Sequence, residues 1–67
     1  MKDRTRQYRL LENRLELTID DMTIPEAIRQ IEVWEKRRKK AETPLQLNIA
    51  KNMILKLKGK IQNESAL

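Results

Sequence analysis

The chain has 67 residues, 15 Lys and Arg against 10 Asp and Glu, a net charge of +5, and neither Cys nor His. That length limits it to one domain, 1–67, whose core stabilises it by only about 3–5 kcal/mol net. Without Cys or His a disulfide framework is excluded and a zinc site has no ligands of the usual kind, so no metal and no cofactor are expected. One Gly and two Pro argue against an all-β fold, which needs many turns. A charged fraction of 37% beside an apolar fraction of 39% suits amphipathic helices. No apolar run has the length of a membrane span, and the charged N-terminus has no signal-peptide core, so a cytoplasmic setting is expected.

A first helix is predicted over about 3–17. Tyr8, Leu11 and Leu15 form its core stripe, with Thr18 one step on. Leu10 and Leu17 lie on a flank, with Arg14 between them and the stripe. Arg4, Arg6 and Arg9 crowd the first turns, against the helix dipole, so that end should fray unless negative charge meets it. Asp20 and Asp21 then mark a short turn, which predicts that the first two helices are antiparallel neighbours.

The central helix is predicted over about 24–41 and reads as the organiser, with its neighbours packed on its apolar face. Ile24, Ala27, Ile28, Ile31, Trp34 and Ala41 make that face. Thr23 and Glu26 stand at capping-box spacing, and Pro25 fits the first turn. Glu32–Lys36 and Glu35–Lys39 are supporting pairs one turn apart. The cationic run Lys36 to Lys40 suits the negative end of the dipole. Trp34, on the apolar stripe, reads as a core anchor before a binding hot spot.

Thr43, Pro44 and Gln46 announce the third helix, predicted over about 44–62, as N-cap, first helical residue and capping-box partner. Its stripe is Leu47, Ala50, Met53, Ile54, Leu57 and Ile61. Gly59 either stops the helix or is passed through, and Glu64 to Leu67 read as a loose tail. The fold class is therefore all-α: a small antiparallel three-helix arrangement, the alternative being a helical hairpin with a detached first helix.

Catalysis has little to work with. The only Ser is Ser65, near the end, and adjacent Asp20 and Asp21 make no cation cage. Enzyme activity is not expected. Leu10, Leu17, Val33, Leu45, Ile49 and Leu55 exceed what a small monomer buries, so they are the candidate protein interface. Self-association that completes the core is the preferred account. The expected function is a non-enzymatic protein-binding module, a regulator or assembly component acting through helix faces, bound to another protein or to itself. The alternative is a nucleic-acid-binding protein. Its contacts would be Arg29, Lys36, Arg37, Lys39 and Lys40 on the central helix and Arg4, Arg6 and Arg9 as a basic arm. No aromatic interleaves those cations for base stacking, and no helix-turn-helix signature is visible. A membrane-surface role for the lysine-flanked third helix is disfavoured, because it has no Trp or Phe to anchor it.

Overall fold

The structure, a computed structural model, describes residues 4–65. The fold is all-α: α1 spans Thr5–Thr18, α2 Ile24–Lys40 and α3 Pro44–Ser65, with one 3-10 turn at Ile19–Asp21. No strand occurs among the described residues. The predicted beginning of the first helix at residue 3 lies outside them.

Local chemistry sets the helix boundaries. The Thr23 hydroxyl accepts from the Glu26 N–H at 3.3 Å, and Pro25 occupies the first turn of α2, where a missing N–H costs nothing. The Thr43 hydroxyl accepts from the Gln46 N–H at 3.2 Å and starts α3. The Gln46 side chain is wholly buried, at 1% exposure, and ties two elements together. Its Oε1 accepts from the Glu42 N–H at 2.9 Å, and its Nε2 donates to the Thr5 hydroxyl of α1 at 3.2 Å. At the other end α3 runs through Gly59 to Ser65, with Lys60 and Glu64 paired one turn apart at 3.3 Å. The expected loose tail is thus helical at Glu64 and Ser65, and its last two residues fall outside the described range.

The organiser is α3 rather than α2. It contributes Gln46, Ile49, Ala50, Met53, Ile54 and Leu57 to the buried set, while α1 adds Tyr8 and Leu15, and α2 adds Ala27 and Trp34. Both other helices rest on it, because its apolar arc is wide enough for two partners. Ile49 is part of that arc. It is 3% exposed and belongs to the core, not to a protein interface, because it faces the second partner of α3. Ile28 is corrected the other way: it is 48% exposed, since α2 has one main neighbour and a narrower buried face. Leu11, Ile31 and Ile61 are partly buried against the core, Leu47 is half-buried and Thr18 is exposed.

Two polar links from α1 and one from the 3-10 turn that follows it set their register on α3. Gln46 meets Thr5, Lys56 meets Glu16 at 2.6 Å, and the Lys60 ammonium donates to the Asp20 carbonyl at 3.2 Å. Partners therefore advance together along both helices, so α1 and α3 are parallel and α2 returns between them. The expected close pairing of α1 with α2 is not what forms. These two helices make few close backbone approaches and meet mainly through Tyr8. The chain is consequently elongated, 46 × 20 × 15 Å.

Candidate functional site

The space that α1 and α2 leave between them is the site. Tyr8 closes its base. The phenol hydroxyl donates to the Arg37 carbonyl at 2.9 Å, and the ring meets Trp34 edge-on, with centroids 6.2 Å apart at 68°. The Arg37 guanidinium lies over the Trp34 ring, 4.7 Å from its centroid. Burial pushes the Arg37 pKa below its ordinary value, and the electrostatic interaction with Tyr8 opposes that shift. Arg37 still remains a cation at neutral pH.

Above this joint runs an open groove of about 780 Å³, bordered by Leu10, Leu11 and Leu17 of α1 and by Arg37 and Lys40 of α2. It continues into a smaller recess of about 340 Å³ that adds Val33 and one edge of Trp34. Leu11, Arg14, Thr18 and Arg37 border both, so the two are one surface. Its cations are Arg4, Arg14, Arg37 and Lys40, and among the described residues no carboxylate lines it. Arg4 leans toward Glu42, 3.9 Å away, and both side chains are well exposed. That contact is the negative charge the crowded N-terminus of α1 required, and it is a weak one.

The candidate interface residues do not form one patch. Leu10 and Leu17, at 62% and 82% exposure, are brought beside half-buried Val33. Leu45 and Leu55 are exposed but line neither part of the groove. Leu55 instead borders a shallow depression with Arg38, Lys51 and Lys58. The candidate phosphate contacts also divide. Arg4, Arg37 and Lys40 belong to the groove rim, whereas Arg29, Lys36 and Lys39 stand on the exposed outside of α2. Glu32 lies between Arg29 and Lys36 on that outer surface, three residues from one and four from the other, and interrupts the ridge. Arg6 is exposed, and Arg9 is within 3.8 Å of Glu12. Glu35 pairs with Arg38 at 3.4 Å.

Arg14 is the groove cation that sequence reasoning left out of its candidates. Its position between the core stripe and the Leu10–Leu17 flank was visible; that this flank borders a groove was not. Among the described residues no group of three Asp or Glu side chains is placed to hold a metal ion, and no helix is long and apolar enough to cross a membrane. No protein-family model matches the chain, and neither does any curated protein or solved structure.

Proposed function

We propose that the chain is a non-enzymatic protein-binding module, a regulator or assembly component, that engages its partner through the groove between α1 and α2. The observation that carries this is the exposure of Leu10 and Leu17 on the border of a continuous groove. Apolar side chains clustered beside a concavity are what a partner surface uses, whereas scattered exposed leucines are unremarkable. The nucleic-acid reading has less support, because the cations it needs are split between the groove and the outside of α2, and Glu32 interleaves the latter. Self-association would use the remaining exposed leucines, Leu45 and Leu55 of α3.

A photo-crosslinking residue at position 17, with one at position 55 as its counterpart, tests the proposal in lysate. Protein adducts from position 17, lost when Leu10→Asp is added, are the expected result. A parallel titration with duplex DNA and RNA at two salt concentrations addresses the alternative. Tight binding that weakens steeply with salt, with no protein adduct from position 17, replaces this reading with the nucleic-acid one.

A further inference from the structure

Building on the module reading, we infer that the groove takes an acidic amphipathic helix: a segment with leucine-like side chains on one face and carboxylates flanking them. The argument begins with charge. Arg4, Arg14, Arg37 and Lys40 border the groove and its recess, and among the described residues no carboxylate does. The chain as a whole carries 10 acids against 15 bases, so a border lined by four cations, one of which (Arg4) is 3.9 Å from Glu42, is a local excess of positive potential. Between those cations the surface is apolar, through Leu10, Leu11, Leu17 and Val33. An occupant that matches both features buries apolar side chains along the middle and presents negative charge at the edges.

The occupant's backbone follows from what the module lacks. An extended segment that pairs its N–H and C=O groups by strand addition needs a strand edge, and no strand occurs among the described residues. A helix satisfies its own. The border runs along α1 from Arg4 to Thr18, a span of roughly 20 Å at the helical rise, which matches about four turns of an incoming helix. A second copy of this chain is a poorer occupant. In a two-fold contact the same patch is used on both copies, which brings two cationic borders together.

The test uses the full chain and three synthetic 14-residue peptides. One carries Leu at helical spacing with Glu on both flanks, the second replaces every Glu by Lys, and the third repeats the first with a central Pro. Binding is followed by amide shifts of the isotope-labelled chain and by emission of Trp34, the only tryptophan. The Glu peptide is expected to bind, with shifts concentrated at Leu10, Leu11, Arg14, Val33 and Arg37. The Lys peptide is expected to be at least about tenfold weaker, since like charges face each other. A protein variant with Arg14→Glu and Lys40→Glu, both exposed residues, reverses that preference while its circular dichroism is unchanged. Equal binding of the Glu and Lys peptides, shifts outside the groove, or undiminished binding of the Pro peptide overturns the inference. So do concentration-dependent shifts of the same residues without peptide, which mark a second copy as the occupant. Adducts from position 17 with no binding of the Glu peptide reject this partner chemistry and leave the module reading intact. Absence of both rejects the two together.

Discussion

At the scale of single residues, the joint between α1 and α2 rests on Tyr8, Trp34 and Arg37. Removing the Tyr8 hydroxyl leaves the ring packing on Trp34 but strips the Arg37 carbonyl of its donor. Tyr8→Phe should therefore cost about 1 kcal/mol in urea unfolding, the usual net value of one hydrogen bond. Loss of much more would mean that the ring itself had moved. Gly59 predicts the opposite sign. It sits inside α3 with no positive φ, and an added Cβ would meet nothing within 4 Å. Gly59→Ala should stabilise by about 0.5–1 kcal/mol, because it reduces the backbone entropy lost on folding without a clash. A melt followed by circular dichroism should rise by several degrees, on the order of 4–8 °C per kcal/mol in a domain this small. An unchanged or lower midpoint would contradict the open space beside Gly59.

At the scale of elements, what was legible in the sequence is what is decided within one or two turns. Thr23 with Pro25, and Thr43 with Pro44, mark helix starts by hydrogen bonds to residues three positions away. The stripe through Ala50, Met53, Ile54 and Leu57 is equally local in its periodicity and is buried. What periodicity does not carry is how many neighbours a helix has. The buried arc of α3 extends to Ile49 because α1 and α2 both lie on it, while that of α2 stops short of Ile28. Likewise the pairing of Thr5 with Gln46, and of Glu16 with Lys56, links residues 40 or 41 apart and leaves no local trace. The groove was illegible for the same reason: Leu10, Arg14 and Lys40 share a border only after α1 has settled on α3. This division predicts unequal costs for similar truncations. Met53→Ala should destabilise by about 2–5 kcal/mol, the range for emptying a packed site, and Ile28→Ala by much less. Comparable losses at the two positions in chemical denaturation would show that Ile28 is covered in solution.

At the scale of the whole molecule, the buried core and the proposed recognition surface lie on different sides of α1. The core gathers on α3, and the exposed Leu10 and Leu17 are on the side of α1 that turns away from it. A charge placed at Leu17, 82% exposed, should therefore leave the unfolding midpoint within about 0.5 kcal/mol of the parent, as surface substitutions do. The same Leu17→Asp change should abolish crosslinks made from the Leu10 side of the groove. A protein that unfolds on this substitution would place Leu17 in the core.

The dependence of α1 and α2 on α3 also governs how the chain is made. Ribosomes synthesise α3 after α1 and α2, and those two helices have little surface in common on which to coalesce. Until Leu57 or so has left the exit tunnel, Trp34 and Leu15 have no third wall and stay uncovered. The nascent chain should thus acquire protease resistance in one late step rather than helix by helix, and stalled intermediates ending before Ala50 should be the ones that chaperones retain.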